Sequence, residues 1–419
     1  MSKHIVNKVS LQMTAASYEL ARQLQRDAQN WTNHYLPALL LQSFDEISKN
    51  DEFNYIDKIE IEIPGLPWQL TDAEWKEKIV KQISKYSNSG LPVKVIIKQW
   101  LFFLKNGIFE RNAIISDIKE FEIFLFSVKS KISQSDVESL NEVFSSVNVV
   151  KRLFYVHSAK LVQFVLSNVF QISEEKCGQF YQVIQNQLAQ NPFKTIETAK
   201  YLFLQIRQNN LKNKDELINL FLINPNSQQI DDIIEWEKLP VRADELEKEI
   251  IGTDVFLNCP NAGLVILLPF LKRFFENVYF VKNDAFVDEI SKVKAIQALH
   301  FLVTGNEVEN EQDLLLPRIL CGFEIAEFIE FKGDLDENTR NEANELLKSV
   351  IEHWQILQNT SVEGLRETFL QRDGSLKIES SFLLRVSNSG VDVLLDSIPW
   401  GFRNFKLPWM QKSIITEWH

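Results

Sequence analysis

Glycine and proline are scarce in this sequence, at 13 and 12 of 419 residues. That excludes collagen-like repeats and long Gly/Pro-rich disordered tracts, and it favours helices. There are three cysteines, Cys177, Cys259 and Cys321, far apart and odd in number. They supply neither a disulfide framework nor a CxxC metal pair, and they fit a reducing compartment. A basic excess is missing as well. The formal net charge is −12, so neither a nucleic-acid duplex nor an acidic membrane surface is an expected partner. No long hydrophobic run is present. The N-terminal MSKHIVNKVSLQM carries no apolar stretch of signal-peptide type. The longest apolar segment, around Ala262 to Leu271, is interrupted by Pro269 and too short to span a bilayer. The expectation is a protein that is cytoplasmic when made.

Enzyme signatures are equally scarce. GxGxxG, P-loop, HExxH and GxSxG patterns do not occur. The six histidines are scattered, and His300, inside an apolar run, reads as a hydrogen-bonded core residue. Cys321 precedes Gly322 and has His300 or His353 as conceivable partners, yet no oxyanion hole accompanies it. A small buried thiol is the simpler reading. Asp57, Glu60 and Glu62 sit in an alternating stretch that puts Asp57 on the face opposite the two glutamates, so they do not converge. Asp334, Asp336 and Glu337 lack the EF-hand spacing. Catalytic residues, cofactors, metals and a small-molecule substrate are therefore not expected.

What is present is apolar and aromatic. Hydrophobic residues make up 45%, with 30 Phe and 9 Trp, enough for a substantial interior. Residues 1–90 read as a small βααβα unit. Ile5, Val9 and Leu11 mark a strand, and Leu20, Leu24, Ala28 and Trp31 a helix. A second helix covers Ala38 to Ile47, and YIDKIEIEI at 55–63 alternates as a half-solvated strand. Trp75, Ile79 and Ile83 mark the last helix, with Thr71 or Asp72 at its N-cap. Residues 91–250 read as an α-helical array broken by Asn106-Gly107, Asn191-Pro192 and Asn224-Pro225, with no fixed repeat and no sustained heptad. Residues 251–419 read as further helices followed by a β-rich tail over 375–419. There, residues from Leu376 to Trp418, including Val391, Val393 and Leu395, alternate as three or four short antiparallel strands. The fold class is α+β, predominantly α-helical.

Four blocks stand out in the last third. They are NAGLVILLPFLKRFF (261–275), KVKAIQALHFLVTGNEVENEQDLLLPRILCG (292–322), HWQILQNTSVEGLRETFLQRDG (353–374) and DVLLDSIPWGFRNFKLPWMQKSIITEW (392–418). Together with IDKIEIEI near the start, they resemble the tape-measure proteins of contractile injection systems of the antifeeding-prophage type. The resemblance runs discontinuously from end to end and is most specific over the C-terminal 160 residues. It implies a non-enzymatic assembly protein of a phage-tail-like particle that sets tube and sheath length, with inner-tube, hub or baseplate subunits as partners. It also implies a place inside the assembled particle as the alternative to the cytoplasm. An assembly chaperone or adaptor for baseplate or hub subunits is the second reading, and a particle-associated hydrolase the third. Trp400, Trp409 and Trp418 are the candidate partner-binding residues, because tryptophan is favoured at interface centres. Core packing on a strand face is the competing reading.

The same residues bear on the ruler mechanism. As one helix the chain would reach roughly 630 Å, whereas a compact globule of this length has a radius of gyration of about 22 Å. The turn signals and wide apolar stripes favour the compact form.

Overall fold

The computed structural model describes residues 18–47, 61, 66–83, 93–208, 214–223 and 255–418. The strand expected at Ile5 to Leu11 lies outside these residues, as do YIDKIEIEI except Ile61 and the end of the expected helical array over 224–250. The chain divides into two units, Met1–Ile96 and Ile97–His419.

In the first unit, α1 (Tyr18–His34) and α2 (Leu36–Ile47) follow one another directly. Pro37 sits in the first turn of α2, where its missing N–H costs no helical bond. Helix α3 (Asp72–Ile83) begins at a capping box. The Thr71 N–H donates to Glu74 at 2.8 Å and the Glu74 N–H to Thr71 Oγ1 at 3.4 Å. Trp31, Leu36, Leu39, Trp75 and Ile79 form the core, with the Trp31 and Trp75 rings 5.3 Å apart.

The second unit opens within α4 (Val93–Asn106), whose Ile97, Trp100, Phe103 and Leu104 are buried at helical spacing. It continues through α5 (Ile118–Val128), α6 (Gln134–Val143), α7 (Val147–Tyr155), α8 (Ala159–Asn168), α9 (Glu174–Leu188), α10 (Pro192–Gln208) and α11 (Lys214–Ile223). Phenylalanine fills this array: Phe170 lies flat on Phe203 at 4.0 Å, and Phe144 meets both edge-on. Helix α7, VNVVKRLFY, keeps Val149, Val150, Leu153 and Phe154 on one buried face at helical spacing, and Arg152 is buried with them.

The C-terminal part holds the densest core. After β1 (Leu257–Cys259), the 3-10 segment Ala262–Leu267 is buried throughout and leads into α12 (Leu268–Asn277), with Pro269 in its first turn as a helix starter. The hairpin β2 (Val281–Lys282) and β3 (Ala285–Phe286) precedes α13 (Glu289–Thr304), α14 (Leu315–Leu320) and α15 (Glu337–His353). Gly322 follows α14 with φ +74°. Then come α16 (Val362–Leu365), β4 (Gly374–Ile378), β5 (Phe382–Val386), β6 (Asn404–Phe405) and β7 (Ile414–Glu417).

The five-stranded sheet has the order β1-β4-β5-β7-β6. Its β5–β7 pair is parallel, so the tail is a mixed sheet where alternation suggested antiparallel pairing alone. Parallel pairing needs a crossover, and residues 391–397 help to supply it. The alternating Val391, Val393 and Leu395 accordingly fold into a 3-10 turn over Asp392–Ser397 in place of a strand. A period-two pattern over so few residues does not distinguish a strand from a tight turn with one buried contact. Residues Phe109 to Arg111, which follow α4, extend the β1 edge: Asn258 N donates to Phe109 O at 2.9 Å and Arg111 N to Phe256 O at 2.7 Å.

Gly263 is required by proximity: a Cβ there would overlap the carbonyl of Phe369. Gly263→Ala is expected to destabilise the second unit by about 3 kcal/mol or more. Chemical denaturation followed by tryptophan fluorescence checks this, and wild-type stability would refute the close packing.

Candidate functional site

The C-terminal tryptophans are held by the chain itself. Trp400 Nε1 donates to Ile266 O at 3.0 Å, and its ring meets Phe270 edge-on at 4.9 Å. Trp409 Nε1 donates to Leu320 O at 2.7 Å, between Phe275 and Phe286. Both rings remain partly exposed. Trp418 is 2% exposed and donates to Asp392 Oδ2 at 3.1 Å. The same oxygen accepts from Arg372 at 3.0 Å and from the Ser389 N–H at 2.7 Å. The three residues thus sit at three separate places on one core.

The nucleophile and base candidates are not brought together. Cys321 is fully buried and its thiol is pushed far above the ordinary range by burial, so it stays protonated. Burial lowers the His300 pKa, against a weaker opposing effect from Glu307 and Glu309. His353 is exposed and its Nδ1 contacts Ser349 O at 2.6 Å within its own helix. Asp336 caps α15, accepting from the Thr339 N–H at 2.9 Å, while Asp57, Glu60 and Glu62 lie outside the described residues. Among the described residues no group of three His, Cys, Asp or Glu side chains could hold a metal ion, and no helix is long and apolar enough to cross a membrane.

The dominant polar feature was not visible in the sequence. Arg152 of α7 and Arg318 of α14 are both 0% exposed, and Glu311, 6% exposed, lies between them. Arg152 Nε donates to Glu311 Oε1 and Oε2 at 3.1 Å, and its Nη2 to Oε1 at 2.9 Å. Arg318 Nη2 donates to the same Oε1. Other guanidinium protons go to main-chain carbonyls, while Arg318 Nε has no acceptor. Arg152 reaches Leu104, Lys105 and Ala326, at 3.0, 2.8 and 2.8 Å, and Arg318 reaches Asn106 and Ile325, at 3.3 and 3.0 Å. Three of these carbonyls end α4, where the helix dipole concentrates negative charge. Two cations on one carboxylate would otherwise leave a buried excess of positive charge. Gly107, at φ +70°, turns the chain there, and a side chain on it would collide with Glu311.

A second polar group lies beside this one. Trp100 Nε1 donates to His157 Nε2 at 3.2 Å, which places the ring proton on Nδ1, facing Glu122 Oε1 at 3.1 Å. Glu122 also accepts from the Ser158 N–H at 2.9 Å. Burial works against this carboxylate, but the His157 and Ser158 hydrogen bonds outweigh it and hold its pKa below the ordinary range. With Nε2 occupied by Trp100, His157 is a structural link and has no free base nitrogen. Ser158 spends its Oγ as the N-cap of α8, accepting from Leu161 N at 3.3 Å.

The site geometry is therefore a set of buried links. The model of the contractile injection system tape measure protein family matches residues 3–418. The chain belongs to this family. Neither a curated protein nor a solved structure gives a match. Tape measure proteins of this kind work within a tail-like particle together with its structural subunits. Residues from the segments 261–275, 292–322, 353–374 and 392–418 build much of the C-terminal core.

Burial pushes the Glu311 carboxyl up, but Arg152 and Arg318 together outweigh it and hold its pKa below the ordinary range. Its stabilising contribution is present above the unfolded carboxylate value, about 4.3, and is lost as pH falls through the lower folded value. Glu311→Gln is expected to cost about 3–5 kcal/mol at pH 7, since it leaves two buried cations without their carboxylate. The urea midpoints of wild type and Glu311→Gln should converge as pH drops below about 4.3, and midpoints that stay equally far apart would refute the linkage. Replacing all three residues by Met, Leu and Met should cost far less than this single change.

Proposed function

We propose that this chain sets the length of the tube and sheath in a contractile injection particle, and that it does so from a folded body in place of a fully extended ruler. The family membership supports the length-setting role. The folded body is supported by one observation above all: the Arg152–Glu311–Arg318 group ties the helical array to the C-terminal core from the inside. The helices are short as well. The longest among the described residues run 17 residues, about 25 Å each, far from the roughly 630 Å of a chain-length helix.

Extending α4 to α10 inside a tube would expose the phenylalanine core and strip two arginines of their carboxylate. Tube contacts would have to replace both. Retaining the fold and docking it on a particle subunit avoids that cost. Inner-tube, hub or baseplate subunits are the proposed partners. The partly exposed faces of Trp400 and Trp409 are where such a subunit would meet the C-terminal tryptophans, with Trp418 holding the last strand from within. The protein acts in the cytoplasm while the particle is built. The buried thiol and the blocked imidazole support a non-enzymatic role, and Cys321→Ala and His300→Ala variants that fold are expected to assemble normal particles.

Electron microscopy of particles tests the reading. Cells lacking the protein are expected to give no particles or particles of broadly scattered length. Deletion of residues 134–190, which removes Arg152, should do the same. Intact, uniform particles shortened by about 1.5 Å per deleted residue would overturn the folded-body reading in favour of an extended ruler. Normal particles without the protein would overturn the length-setting role altogether.

A further inference from the structure

The five-stranded sheet treats its two edges differently. At β1 the chain supplies an extra pairing of its own, through the hydrogen bonds of Phe109 and Arg111 to Asn258 and Phe256. At the other end β6 is the outermost strand, and no segment among the described residues pairs with its outer side. The Thr416 N–H donates to Arg403 O at 2.7 Å, across the β6–β7 pair. Main-chain groups of successive residues point to opposite sides of an antiparallel strand. The next residue, Asn404, therefore turns its N–H and C=O outward. Asn404 is exposed, and neither group finds a partner among the described residues.

Charge sets this edge apart from the rest of the chain. Residues 403–417 carry three cations, Arg403, Lys406 and Lys412, and one carboxylate, Glu417, in a protein of net charge −12. Glu417 is engaged by Arg385 at 2.7 Å, and Lys412 donates to Glu379 O at 3.2 Å. Arg403 and Lys406 flank the centre of β6. Both are exposed, and their side chains make no hydrogen bond or ion pair among the described residues. Unpaired cations repel a second copy of the same edge and admit a strand of opposite charge. On the face turned away from the core, Asn404 lies in register with Ile415, and Ile415 with Leu383. Ile415 is exposed, so an added strand would extend a row that is apolar beside the cations. In sequence, β6 lies between the two partly exposed tryptophans, Trp400 and Trp409.

From this we infer that the β6 edge takes up an acidic, extended segment of a particle subunit as an added strand. The segment pairs with the main chain at Asn404 and places carboxylates against Arg403 and Lys406. Its origin in a particle subunit rests on the docking proposed above. The open edge and its charge stand without that reading.

Fluorescence anisotropy of a labelled peptide, acetyl-Thr-Glu-Val-Glu-Val-Thr-amide, titrated with the full-length protein at low ionic strength, tests the edge. The peptide is expected to bind, and its counterpart with lysine in place of both glutamates is not. Arg403→Gln combined with Lys406→Gln should weaken binding about three- to tenfold, the range of two solvent-screened ion pairs. Asn404→Pro removes the outward N–H and leaves the β7 pairing in place, as an edge strand allows. It should weaken binding about tenfold, the worth of a main-chain hydrogen bond. Circular dichroism checks that both variants fold. The paired glutamine changes are confined to the surface and decide the matter alone where the proline variant loses its fold. No binding, equal binding of the lysine peptide, or unchanged binding in the glutamine pair would overturn the proposal. So would unchanged binding in a folded Asn404→Pro protein, because the main chain would then take no part. A wild-type dimer in sedimentation that Asn404→Pro separates would overturn it as well, since a second copy would then occupy the edge. All of these are read without particles, whereas the length-setting function is judged by particle length, so either can fail while the other stands.

Discussion

One carboxylate shared by two buried arginines holds the second unit together. Glu311 comes from the polar loop after α13, Arg152 from the helical array and Arg318 from the short helix that follows. Charges removed from water in this way are costly, and their attraction offsets the cost only when every remaining donor finds an acceptor. Here the acceptors are mostly main-chain carbonyls, three of them at the end of α4. The cation excess therefore falls where a helix dipole welcomes it. Arg318 Nε is the donor left over. This demand explains Gly107, the tight turn after α4 and the burial of the Glu311 side chain in a loop whose composition is that of a surface.

Apolar packing around this centre is interlocked. Ile108, from just after α4, is part of the C-terminal core. In return Phe328, from the C-terminal part, stacks on Tyr155 at the end of α7, and its N–H donates to Asn148 at 3.1 Å. Residues Phe109 to Arg111 add themselves to the sheet edge, and Arg111 reaches Asn258 and Asp373. Each side lends a segment to the other. The array and the C-terminal core therefore behave as one body, and a mechanism that unwinds the array must also open the core.

A length-controlling protein built this way faces a physical choice. A ruler gains reach by giving up tertiary contacts, and a globule keeps its contacts and gives up reach. The short helices, the stacked phenylalanines and the shared carboxylate all belong to the second option.

Much of the helical content was legible in the sequence, because burial on one face imposes a 3.6-residue period that α4, α5, α8 and α9 show plainly. The cap at Thr71 was legible for local steric reasons. The resemblance to the family was legible as well, and the family match covers residues 3–418. The sequence could not reveal that Arg152, beside the apolar stripe of α7, is buried. The parallel β5–β7 pair and the 3-10 turn over 392–397 depend on which strands meet, which alternation does not encode. The pairing of Arg152, Glu311 and Arg318 joins positions up to 166 residues apart. Nothing local distinguishes a glutamate bound for the interior from its neighbours Glu307 and Glu309. Period, caps and turns are set by interactions within a few residues, so the sequence by itself determined them. Which charges are buried, and against what, depends on desolvation by segments far along the chain, and only the tertiary structure decided it.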